Sequence, residues 1–221
     1  MLQPLLFGGA GQHRHILCLG SHCDDIEIGC GGTLLTLLDR NPGLEVTWVI
    51  FASNEERRKE ATAGAERFTQ KAGKLNLRIF DIRDGFLPYV GAQVKDLFEQ
   101  IKREVKPDLI LTHYRHDLHQ DHRLVNELTW NTFRNHLILE YEIPKWDGDL
   151  GTPNVYFAID EEVGQRKIQY LQEVYASQQG KNWFTPDLFW SLMRIRGMEC
   201  NSPSRFAEAF YARKLMLSPG S

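Results

Sequence analysis

Cysteine is scarce and poorly spaced for cross-links. Cys18, Cys23, Cys30 and Cys200 are the only four in 221 residues, and no two form a CxxC pair. That argues against a structural zinc knuckle. A chain this long builds its core without disulfides, so a cytoplasmic location is expected. Cys18 lies in an apolar run and reads as a small buried hydrophobe. An excess of either charge is also lacking. With 26 basic and 29 acidic residues the net charge is −3, which leaves no basic stripe for a nucleic acid. No run of 18 apolar residues occurs, so no transmembrane segment is expected. The start, MLQPLLFGGAGQHRH, has no charged region ahead of a long apolar stretch and reads as no secretory signal. Repeats, low-complexity tracts and linkers are missing as well, so residues 1–221 are expected to form a single domain.

What is present is alternation. Apolar, β-branched runs at 15–20, 45–51, 77–82, 108–112 and 155–159 read as strands. Between them, 29–39, 55–72, 90–105, 121–134 and 161–175 read as helices, the third stopping short of Pro107. This order predicts an α/β fold, a Rossmann-like, mostly parallel sheet with helices on both faces. Beyond about residue 182 the pattern fades. In such a sheet ligands bind beyond the carboxyl ends of the strands. Two polar clusters fall there, after the first and fourth strands.

The first cluster is Ser21-His22-Cys23-Asp24-Asp25. Imidazole and carboxylate are good zinc ligands, and of two adjacent carboxylates one can bind metal while the other takes a proton from water. A bland reading is that Asp24 and Asp25 only cap the next helix. Gly29-Cys30-Gly31-Gly32 follows as GxGG, not the GxGxxG of a nucleotide cradle; it reads as glycines that let the helix pack closely. The second cluster, 113–122, places four of the chain's eight histidines in ten residues. One of them can complete a catalytic zinc site, which needs three protein ligands and an open position. Another can donate to a developing oxyanion, and Asp121, two residues from His119, is near enough to hold that ring. The bland reading is a solvated histidine-rich loop. His113 and His116 read as structural or outer groups; His13, His15 and His136 carry no functional expectation.

Together the clusters resemble the PIG-L/LmbE-like zinc deacetylases, which carry HPDDxExG after the first strand and HPDH after a later one. Here the motifs stand as His22-Cys23-Asp24-Asp25-Ile26-Glu27-Ile28-Gly29 and His119-Gln120-Asp121-His122. Arg57 with Glu60, Ser177-Gln178, Arg196-Gly197 and Ala207-Glu208-Ala209-Phe210 extend the likeness over roughly residues 15 to 215. The resemblance implies a Zn²⁺ cofactor held by His22, Asp25 and His122. It implies Asp24 as general base, His119 at the oxyanion with Asp121 orienting it, and Arg57 as a substrate contact. It implies hydrolysis of an N-acetyl group from a small N-acetylated sugar or sugar conjugate, releasing acetate and an amine. Cys23 and Gln120 replace the family's prolines, which costs some loop rigidity, a few tenths to about 1 kcal/mol through the unfolded state.

Two other readings stay open: a zinc amidase acting on a non-sugar N-acyl amine, and a catalytically idle metal- or nucleotide-binding module. Trp183, Phe184, Phe189 and Trp190 fill the core, line an acceptor site, or form the interface of a homo-oligomer.

Overall fold

The structure is a computed structural model that describes residues 14–216. Residues 1–13 of the N-terminal stretch read as carrying no signal, His13 included, lie outside the described residues. Seven strands form one sheet: β1 (His15–Gly20), β2 (Glu45–Ala52), β3 (Lys74–Ile82), β4 (Leu109–His113), β5 (Leu137–Tyr141), β6 (Val155–Ala158) and β7 (Ala207–Tyr211). Their order is β3-β2-β1-β4-β5-β7-β6. The first five are parallel, while β7 runs antiparallel to both its neighbours. The expected mostly parallel sheet is therefore present.

Six helices cover it: α1 (Asp25–Arg40), α2 (Glu55–Phe68), α3 (Gly91–Glu104), α4 (Gln120–Thr132), α5 (Glu161–Val174) and α6 (Pro186–Glu199). Period-two alternation assigns the strands to two cores. Ile16 and Cys18 of β1, with Val46, Trp48 and Ile50 of β2, face a cluster shared with α1, α2, α5 and α6. Leu17, Leu19, Val49 and Phe51 face the opposite cluster, shared with α3 and α4. Local signals start the helices: the Asn54 side chain accepts the Arg57 N–H at 2.9 Å, and Pro186 opens the first turn of α6.

The structure adds β5, α6 and β7, which sequence pattern did not reveal. It also starts α1 earlier than expected, at Asp25, with a break at Cys30 (φ −144°, ψ 17°). The glycines around that break pack tightly: a Cβ on Gly29 would lie 2.2 Å from the Tyr141 ring, and one on Gly31 2.6 Å from Phe68. Strand order reverses between β1 and β4, so the two polar clusters leave adjacent strands at the switch point.

Candidate metal centre and active site

The turn from β1 into α1 and the turn from β4 into α4 bring the two motifs together. His22 Nδ1 lies 3.1 Å from His122 Nε2 and 3.3 Å from Asp25 Oδ2. His122 Nε2 lies 3.5 Å from Asp25 Oδ1. A tetrahedral zinc with bonds of about 2.0–2.1 Å holds its ligand atoms roughly 3.3–3.4 Å apart. The three pairwise separations are near that value, with Asp25 facing His22 through Oδ2 and His122 through Oδ1; ligand atoms close enough to share one ion also group as His22, His119 and His122 and as Asp25, His113 and His122.

Hydrogen-bond partners assign the tautomers. His22 Nε2 faces Asp121 Oδ2 at 3.2 Å and Asp84 Oδ1 at 3.0 Å, so the proton of the neutral ring sits on Nε2. His122 Nδ1 faces Asp117 Oδ2 at 2.9 Å, which places its proton on Nδ1. The remaining nitrogens point lone pairs at each other and at a carboxylate. Such a grouping is repulsive unless a cation or an added proton neutralises it. The electrostatics agree. Burial lowers the affinity of His22 and His122 for protons, but Asp25 and the outer carboxylates outweigh it and hold both above the ordinary histidine range. Burial alone would raise Asp25; His122, His113 and His22 instead hold it well below the usual carboxylate range. The donor set and its outer carboxylates fit zinc.

Asp24 occupies the N-cap position of α1 without capping it: its side chain makes no cap hydrogen bond. Its Oδ1 is anchored 2.9 Å from Arg57 Nη2, and its buried Oδ2 has no partner among the described residues. Burial pushes Asp24 up, against the pull of Arg57. Arg57 also reaches Glu60 Oε2 at 2.7 Å and Ser177 Oγ at 3.2 Å. Glu60 in turn accepts the Ser177 N–H at 2.8 Å.

His119 Nδ1 accepts the Asp121 N–H at 3.2 Å, which leaves its Nε2–H free to donate. Burial and the neighbouring rings of His122 and His22 keep His119 below the ordinary histidine range, hence neutral. The Asp121 carboxylate does not hold His119, the role first suggested by spacing. It faces His22 and accepts the Gly85 N–H at 2.8 Å.

Asp117, Lys145 and Asp84 were not singled out in the sequence, whereas His113 was read there as a structural or outer group. Asp117 takes three donors: His122 Nδ1, the His119 N–H at 2.8 Å and Lys145 Nζ at 2.9 Å. Asp84 is exposed yet touches His22. His113 is fully buried; its Nε2 accepts the Ser21 N–H at 2.9 Å, and its ring stacks on His122 with centroids 3.9 Å apart. Burial pushes it down to about 4, so it stays neutral beside the triad. Density of histidine flagged the 113–122 loop, but nothing local marks which outer carboxylate serves which ring.

Glu27, in the same motif, is buried and pushed up to about 8 by that burial, despite the Tyr175 hydroxyl. The Tyr175 hydroxyl faces two acceptors, Glu27 Oε1 and, at 2.7 Å, Cys23 O. The Cys23 thiol is buried and raised to about 12, which leaves it unreactive.

A cavity of about 840 Å³ opens onto the triad, lined by His22, Asp24, Asp25, Arg57, His119 and His122 on its floor and by Lys145, Trp146, Lys181 and Trp183 further out. The aromatic segment divides: Phe184 and Phe189 are core, Trp190 packs on Phe206, and Trp183 lines the cavity.

Residues 17–133 match the family described as PIG-L: GlcNAc-PI de-N-acetylase. A curated relative, the uncharacterized deacetylase YaiS of Escherichia coli (strain K12), is 26% identical over 185 residues, covering 78% of this chain and 97% of that one. The fold is shared with N,N'-diacetylchitobiose deacetylase from Pyrococcus horikoshii, at TM-score 0.70 and 22% identity over 90% of this chain and 83% of that one. It is shared as well with GalB, a 4-carboxy-2-hydroxymuconate hydratase from Pseudomonas putida KT2440, at TM-score 0.74 and 17% identity over 94% and 99%. Among the described residues no helix is long and apolar enough to cross a membrane.

Proposed function

Because this chain belongs to the PIG-L, GlcNAc-PI de-N-acetylase, family, we propose that it is a zinc-dependent hydrolase that removes the acetyl group from an N-acetylated sugar or sugar conjugate. The observation that carries this reading is the approach of His22, Asp25 and His122 to within 3.1–3.5 Å of one another, beside a buried Asp24 oxygen with no partner among the described residues. The relatives named as deacetylases support it.

His22, Asp25 and His122 would hold the ion. When bound, zinc supplies Lewis acidity that polarises a carbonyl and makes water acidic near neutral pH. Asp24 Oδ2 takes the proton of the attacking water; its raised proton affinity suits that task. Arg57 fixes the other oxygen, so the base cannot rotate away. His119 Nε2–H donates to the carbonyl oxygen as negative charge grows there. Asp24 then returns its proton to the leaving amine, and acetate and the free amine depart through the cavity.

The test is acetate release from a panel of N-acetylhexosamine derivatives, with and without a chelator. Chelator-sensitive acetate release supports the reading. Folds do not choose chemistry, and the likeness to a hydratase makes that concrete. A zinc-loaded protein that releases no acetate from any amide in the panel would overturn the deacetylase assignment. Release only from non-sugar amides would move it to the amidase reading.

A further inference from the structure

Helix α1 is broken at Cys30, and the break isolates one short turn, residues 25–29, that carries Asp25 and starts from Asp24. A single turn cannot hold its own geometry, because nucleating a helix costs more than one hydrogen bond returns. Ile28 N–H donates to Asp24 O at 3.0 Å and ties the turn back to its first residue. A break also strips partners from the carbonyls before it and the N–H groups after it.

Two buried side chains from distant elements supply those partners. Glu208 on β7 accepts Gly32 N–H at 2.8 Å through Oε1 and Thr33 N–H at 2.7 Å through Oε2. Lys167 on α5 donates to Ile28 O at 2.7 Å and to Glu208 Oε1 at 2.6 Å. Both side chains are only 3% exposed. The gap is filled: a Cβ on Gly32 would stand 2.9 Å from Glu208 Oε1. A buried ion pair gives weak net stability, since apolar residues of the same shape often hold a fold as well. Its place at the break suggests another reason for it.

We propose that Lys167 and Glu208 are positioning residues that fix the break in α1, and so aim Asp24 and Asp25 at the meeting point of His22 and His122. The inference rests on the proposed zinc hydrolase, because aim matters only if that point binds the ion.

The experiment compares wild type with Lys167→Met/Glu208→Gln, which removes both charges together and leaves neither buried alone. Folding is followed by circular dichroism and thermal melting, zinc affinity by competition with a chromogenic chelator, and kcat and KM at saturating zinc. The expected result is a folded variant with zinc affinity lower by ~10–100-fold, kcat lower by at least ~10-fold, and KM within twofold. Folded protein with zinc affinity and kcat within twofold of wild type overturns the proposal. Should the double variant not fold, Lys167→Gln, whose amide still reaches toward Glu208, is measured instead; weakened zinc binding supports the brace and unchanged binding overturns it. If wild type itself binds no zinc, the functional reading fails, and the brace is judged by amide exchange. Faster exchange at Ile28, Gly32 and Thr33 in the variant supports it, and unchanged exchange there overturns it.

Discussion

Replacing Asp117 by asparagine tests the metal centre without touching a ligand or the cavity wall. The Asp117 carboxylate is 2% exposed and accepts from His122 Nδ1 at 2.9 Å, Lys145 Nζ at 2.9 Å and the His119 N–H at 2.8 Å. An amide has one acceptor oxygen. Turned toward His122 and Lys145, it places its NH₂ against the His119 N–H, leaving a buried donor unpaired at roughly 1–3 kcal/mol of stability. The bond to His122 persists but loses its charge, so the ring is a poorer ligand. Losing such an outer partner lowers metal affinity by 10–100-fold, about 1.4–2.7 kcal/mol. Asp117→Asn falls at the lower end and Asp117→Ala, which keeps no acceptor, at the upper. Chelator competition reads the affinity directly. Because Asp117 also accepts the His119 N–H, kcat at saturating zinc is read separately from the affinity. Zinc affinity within twofold of wild type in both variants would refute the tautomer argument on which the centre rests.

Three further outcomes are expected. Asp24→Asn keeps zinc, because Asp24 is not in the triad, and loses about 10²–10⁴ in kcat; a near wild-type rate would remove Asp24 as the base. His119→Ala costs about 10²–10³ in kcat with zinc retained, and His119→Gln, which can still donate an N–H, recovers part of it; equal rates for the two would count against a donor role. Gly197→Ala drives a Cβ to 2.0 Å from the Arg205 carbonyl oxygen, backbone that cannot step aside. Overpacking of this kind costs about 1–3 kcal/mol, and a melting temperature unchanged within a degree would show that the α6–β7 junction yields more than its packing suggests.

The first four strands were legible as apolar or alternating β-rich runs closed by glycine, proline or a polar turn, and the helices between them by helix-forming composition, as in the charged, alanine-containing α2. That the two polar motifs would meet was legible for a related reason, since both follow strands that end at the same sheet edge; the choice of His122 as the third ligand came from the family resemblance. β5 escaped notice although four of its five residues are apolar or aromatic, since only pairing with β4 and β7 distinguishes it from a buried loop. α6 is apolar on several sides and short of amphipathic pattern, with Phe189 and Met193 buried but Ile195 and Met198 exposed. Outer partners were the least legible of all. Asp117 serves His122 five residues away, whereas Asp121, nearer to His119 in sequence, turns its carboxylate to His22. Which carboxylate meets which ring is decided by turn geometry and by backbone donors such as Gly85 N–H, and residue spacing carries no record of either.

The cavity wall has a different origin from its floor. Every group given a part in proton transfer or ion holding lies at or before His122, while residues 143–147 and 177–183 build much of the outer wall. The groups proposed for chemistry and most of the outer wall thus come from separate stretches of the chain. Each later loop still touches the floor, Lys145 at Asp117 and Ser177 at Arg57 and Glu60, so an exchanged loop leaves the proton machinery as it is only where it keeps those contacts.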